Sequence, residues 1–130
     1  MNDTMTILIG SDGEITTPRF AGLAEPDHPG GQLWHIRELI DSAVPHGVEA
    51  PGRSGLVFWF DGLAYGRARS VNVIGSVVVA DTFELPLQVV CGPLLITGGS
   101  SPEPRALTSA GVREAFEFLD LEPVNQAVEG

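Results

Sequence analysis

Apolar and polar residues alternate, cluster and recur in distinct ways along the 130 residues of this chain, and each pattern predicts an element. Thr4 to Ile9 alternates, with Met5, Ile7 and Ile9 on one side and Thr4, Thr6 and Leu8 on the other, the two-residue period of a strand. Ser11-Asp12-Gly13 is a turn signal, and Glu14 to Phe20 returns as a second strand that Pro18 confines to a sheet edge. Gln32 to Val44 changes period. Leu33, Ile36, Ile40 and Ala43 line one stripe with Leu39 beside it, which predicts an amphipathic helix stopped by Pro45 and Gly47. Leu56 to Phe60 is apolar at every position and too short for a helix, so it reads as a strand buried on both faces. Val89 to Thr97 reads as another strand, broken near Pro93, whose missing N–H places it at an edge, a bulge or the strand start. Thr108 caps a last helix whose stripe is Val112, Ala115, Phe116 and Leu119, and Pro123 ends it.

The intervening residues punctuate these elements. Asp61-Gly62 is a hairpin signal, because a tight hairpin turn favours residues that accept φ > 0. It predicts a return strand over Leu63 to Arg67. Pro45 to Ser54 and Gly98 to Pro104 read as loops. Asn72 to Asp81 sets propensity against position: its valines favour a strand, yet Asn72 is a good N-cap and Val73, Ile74, Val77 and Val78 fall at helical spacing, so a short helix is expected. The sum is an α+β fold, an antiparallel sheet of four or five strands with two or three helices packed on it. Residues 1–122 are expected to form one globular domain and residues 123–130 a frayed acidic tail.

The run Asp61-Gly62, Tyr65-Gly66-Arg67, Arg69, Asn72, Gly75-Ser76, followed by Cys91-Gly92-Pro93-Leu94-Leu95-Ile96-Thr97-Gly98, resembles a small domain-of-unknown-function family of phage, plasmid and high-GC bacterial proteins. The likeness also takes in Gly30-Gly31 and Leu107-Thr108 and spans about Thr6 to Leu119. Gly75 departs from the alanine usual in that family. The resemblance implies a hairpin, a helix opened by Gly-Gly, an Asn-led helix and a Gly-rich strand in that order. It implies a mobile-element setting, and no activity.

Composition narrows the class. A hydrophobic fraction of 43% suits a globular domain, and no apolar run is long enough to cross a membrane. The start of the chain lacks the basic segment of a signal peptide, so the expected location is cytoplasmic. The net charge is −10, and the seven bases are all Arg. That charge disfavours direct binding to a nucleic-acid backbone and suits solubility, a basic protein partner or imitation of the phosphate field of DNA. The single cysteine, Cys91, sits among apolar residues and reads as a buried small hydrophobe.

No catalytic pattern stands out. His28, His35 and His46 lack metal-ligand spacing, no serine sits in a nucleophile elbow, and Gly98-Gly99-Ser100-Ser101 lacks the lysine of a phosphate loop. No metal, cofactor or catalytic residue is therefore assigned. Asp12 before Gly13 serves the turn. The best polar cluster is Tyr65, Arg67, Arg69 and Asn72, beside the turn at Asp61. It could grip a phosphate or carboxylate, or Asn72 could cap a helix while the arginines pair with surface acids. Trp34 either covers the flank of the core or marks an interface. With the acidic C-terminal helix, at Glu114 and Glu117, it forms the candidate partner surface. The preferred expectation is an accessory protein that binds another protein. A small-ligand or nucleotide binder and an acidic DNA mimic are the alternatives, an unrecognised enzyme ranks last, and self-association stays open.

Overall fold

The computed structural model describes residues 5–18, 31–42, 44–50, 56–62, 70–84, 89–99 and 104–119, with the side chains of residues 31–35 and 109 excepted. The tail at 123–130 and the return strand expected at Leu63 to Arg67 lie outside the described residues.

Among the described residues six strands form one antiparallel sheet: β1 (Ile7–Ile9), β2 (Ile15–Thr16), β3 (Pro45–Glu49), β4 (Val57–Asp61), β5 (Leu94–Gly99) and β6 (Pro104–Arg105). Their order is β2-β1-β5-β4-β3, and β6 pairs with β5 off that path. The described residues also form three helices: α1 (Gly31–Ile40), α2 (Val73–Phe83) and α3 (Ser109–Leu119). The α+β architecture expected from the pattern is present, with β6 added to the four or five strands anticipated.

Central strands carry apolar residues on both faces, and that explains the uninterrupted run in β4. Phe58 shares one face with Ile7, Ile9, Leu94 and Ile96, and this face packs against Val78 of α2 and Val112, Ala115 and Phe116 of α3. Val57, Trp59 and Leu95 share the other face with Ile36 and Ile40 of α1. The molecule therefore has helices on both faces: α2 and α3 on one, α1 on the other. Phe58 is fully buried and meets Phe83 edge-on, with ring centroids 5.7 Å apart. Burying a side chain of that size contributes about 2 kcal/mol.

Several boundaries differ from the expectations. The α1 helix ends at Ile40, because Asp41 takes a left-handed φ of 52° and the Ser42 N–H turns back to the Arg37 carbonyl at 3.0 Å. This is a Schellman ending, and Asp tolerates the left-handed position better than most residues. Pro45 to Ser54 is not all loop, since its first residues are β3, the edge strand that pairs with β4. Pro45 is tolerated there. The Gly62 N–H bonds to the Val44 carbonyl at 2.8 Å, which leaves the Pro45–Asp61 pair at a position where no N–H is needed.

β3 and β4 thus pair upstream of Asp61-Gly62, whose own expected return strand lies outside the described residues. Neither Asp61 nor Gly62 is among the described positions with positive φ. Asp61 is a buried carboxylate, 3% exposed, that accepts a hydrogen bond from Ser42 Oγ at 2.7 Å. Pro93 stands just before β5, a central strand, so it marks the strand start and blunts no edge. Gly98 and Gly99 belong to β5 and pair with Arg105 and Pro104, so the ends of the expected loop are strand, while residues 100–103 lie outside the described residues. Cys91 is only half-buried and lies opposite Val71 in an isolated bridge.

The expected helix after Asn72 is α2. The Asn72 side chain caps it by accepting from the Gly75 N–H at 2.8 Å. The two amide donors of the same side chain reach the carbonyls of Ile9, at 2.8 Å, and Gly92, at 2.9 Å. Its backbone carbonyl accepts from both the N–H and Oγ of Ser76, and Ser76 Oγ in turn accepts from the Val90 N–H. The turn at Gly10 to Glu14 and the Thr108 cap on α3 match their expectations. Glu14 N–H donates to Asp12 Oδ1, and Gly111 N–H to Thr108 Oγ1.

Trp59 shows why β3 contains a glycine. Its indole N–H donates to Thr97 Oγ1 at 3.0 Å, which holds the ring flat across the neighbouring strand. A Cβ at Gly47 would lie 2.7 Å from two carbons of that ring. Gly47→Ala should therefore lower stability by about 1–3 kcal/mol through overpacking. Urea unfolding followed by Trp fluorescence checks this, and an unchanged midpoint would contradict the packing described.

Candidate interaction surface

Of the sequence candidates, Asn72, Glu114 and Glu117 have described side chains. Tyr65, Arg67 and Arg69 lie outside the described residues. Asn72 has no exposed surface, and its polar atoms end on the backbone, so of its two readings it takes the cap. Trp34 belongs to α1, although its side chain is outside the described residues. Glu114 and Glu117 are exposed on α3. Since α1 and α3 cover opposite faces of the sheet, Trp34 and the two glutamates sit on elements that do not share a surface layer.

Other chemistry is sparse. Among the described residues no group of three or more His, Cys, Asp or Glu could hold a metal ion. His46 is exposed on β3 and packs its ring near Phe60, centroids 5.3 Å apart. No described helix is long and apolar enough to cross a membrane.

The feature that pattern reading passed over is the outer face of α2. The four residues at helical spacing divide. Ile74 and Val78 pack into the core, whereas Val73 is 67% exposed and Val77 is 50% exposed. Val73 and Val77 are one turn apart on the same side of the helix. Val71 just before the helix and Val89 after it are about as exposed, at 50% and 48%. From Val73 to Phe83 the helix has a single charged residue, Asp81. A helix that is apolar nearly all round belongs in an interior, and a solvent-facing side that is also apolar marks a surface built to be covered. This signal was available beforehand in the composition of Val73 to Ala80.

The surface continues along the helix. Residues 73, 77, 81 and 84 share one side of α2, and all four are exposed: two valines, then Asp81 and Glu84. Glu84 is the C-cap, with φ 54°, and its N–H donates to the carbonyls of Ala80 and Asp81. Comparison with protein-family models, with curated proteins and with solved structures finds no match to the chain.

Replacing the outward valines should leave the fold intact. Val73→Ser with Val77→Ser is expected to change the unfolding free energy by about 0.5 kcal/mol or less, as for surface positions. The inward change Val78→Ala is expected to cost about 1–3 kcal/mol. Denaturant unfolding of both variants checks the division of the helix, and a large loss in the serine pair would contradict it.

Proposed function

We propose that this chain is a small acidic accessory protein that acts by binding another protein, and that it does so through the outer face of α2. The observation that carries the reading is the exposure of Val73 and Val77 on a helix that is apolar on its other sides as well. Such a surface gains from being covered, at about 25 cal/mol for each Å² of apolar area removed from water. The net charge of −10 supports a partner other than nucleic acid. The setting implied by the family resemblance, a phage or plasmid accessory role in the cytoplasm, completes the reading.

Native mass spectrometry of the protein purified gently from its own cells tests it. The expected result is a stoichiometric protein partner with the wild-type chain and its loss with Val73→Ser and Val77→Ser. A wild-type chain that emerges bare, or a partner equally retained by the serine variant, would overturn the proposal.

A further inference from the structure

We infer that the segment that covers α2 is both apolar and cationic, and that Asp81 and Glu84 receive its positive charge. This rests on the protein-binding reading above and names the partner's chemistry. Two local departures from ordinary helix design meet at the same end of the same helix.

The first departure is electrostatic. The C-terminus of a helix carries a partial negative charge, so Lys, Arg or His is favoured in its last turn. The last turn of α2 has no base, and Asp81 stands there with Glu84 immediately after. Neither carboxylate has an ion-pair partner among the described residues. The folded chain therefore concentrates negative potential at a point that its own dipole already makes negative.

The second departure is conformational. A left-handed C-cap is normally glycine or asparagine, because a Cβ crowds the following carbonyl. At the end of α1 that position is Asp41, a tolerated type. At the end of α2 it is Glu84, whose longer side chain has no such local compensation, and it is exposed. Glycine there would relieve the backbone and also delete a carboxylate. Local rules broken together at one exposed point are expected where a site is kept for function.

The apolar and acidic halves of the stripe are in register with each other. Asp81 follows Val77 by one helical turn, about 5–6 Å along the axis. A partner segment that sets apolar side chains on Val73 and Val77 therefore brings its next turn over the two carboxylates. A Lys or Arg at that place meets two exposed carboxylates and the negative end of the helix at once. A second copy of this chain fits poorly, since it would bring another charge of −10.

The test uses the full chain and three labelled 14-residue helical probes: a Leu–Lys amphipathic peptide, its Leu–Glu counterpart and a Ser–Lys peptide. Fluorescence anisotropy is read at 150 mM salt, where diffuse attraction is screened beyond about 8 Å. The Leu–Lys peptide is expected to bind and the other two are not. Asp81→Asn with Glu84→Gln should weaken that binding about five-fold, the scale of two exposed ion pairs. The charge-matched control Glu14→Gln with Glu38→Gln should leave it within about two-fold of wild type. Glu84→Gly should weaken binding while raising the Tm by about 2–4 °C as the strain is released.

Loss of binding in the Glu14/Glu38 control equal to that in the Asp81/Glu84 pair would overturn this inference and leave the protein-binding reading standing. So would failure of the Leu–Lys peptide to bind, a lowered Tm for Glu84→Gly, or a dimer in sedimentation velocity that Val73→Ser and Val77→Ser dissociate. Leu–Lys binding unaffected by the two serine substitutions would overturn both readings.

Discussion

Asn72 is buried with no residual exposure, and each polar atom of its side chain ends on the backbone of a different segment. One amide proton goes to Ile9 at the end of β1 and the other to Gly92 on the approach to β5. The amide oxygen starts α2 through Gly75. Buried carbonyls and N–H groups left without partners cost about 1–3 kcal/mol each, so one side chain prevents several such losses at once. The sheet needs this tie because β1 and β5 are neighbours in it while their ends come from distant parts of the chain. Gly92 supplies the matching backbone, with a φ of 85° that glycine takes without strain. Gly75 supplies the space: a Cβ there would lie 2.8 Å from Asn72 Cγ.

Around that tie the two faces of the sheet are filled by different means. One face is a continuous layer of Ile7, Ile9, Phe58, Leu94 and Ile96 against the inner sides of α2 and α3. The other is smaller and holds polar links among its apolar residues. Trp59 bonds to Thr97, and Ser42 at the end of α1 bonds to Asp61 at the end of β4. Both links are satisfied inside the protein, as buried polar groups must be. The outer side of α2 follows neither pattern. Its valines face water, and Asp81 and Glu84 have no ion-pair partner among the described residues, whereas the exposed residues of α3 include Arg113, Glu114 and Glu117 beside Phe118.

Element type was legible wherever the apolar period was long and clear. The α3 stripe of Val112, Ala115 and Phe116, the alternation in β1 and the doubly buried run in β4 all follow directly from burial. The helix at α2 was legible through its cap and the spacing of Val73, Ile74, Val77 and Val78, against the preference of valine for strands. Boundaries were harder for a physical reason. Pro45 and Gly47 look like breakers, yet an edge strand needs no N–H from Pro45, and Gly47 makes room for a ring that comes from another strand. Neither fact is local in sequence. Asp61 also holds a buried partner, Ser42, which comes from another element and has no local signal. The candidate surface was half legible: the composition of α2 foretold an unusual helix, while which valines face outward depends on how the Asn72 tie sets its rotation.

The central claim is that Asn72 acts as a three-way tie and not only as a helix cap, and Asn72→Asp tests it most directly. Aspartate caps a helix as well as asparagine does. It would keep the acceptor for Gly75 but turn a carboxylate oxygen toward the carbonyls of Ile9 and Gly92. Urea unfolding should show Asn72→Asp destabilised by about 3 kcal/mol or more, at least as severely as Asn72→Ala. A stability for Asn72→Asp close to wild type, with Asn72→Ala alone impaired by about 1 kcal/mol, would mean that capping is all the residue does and would contradict the account.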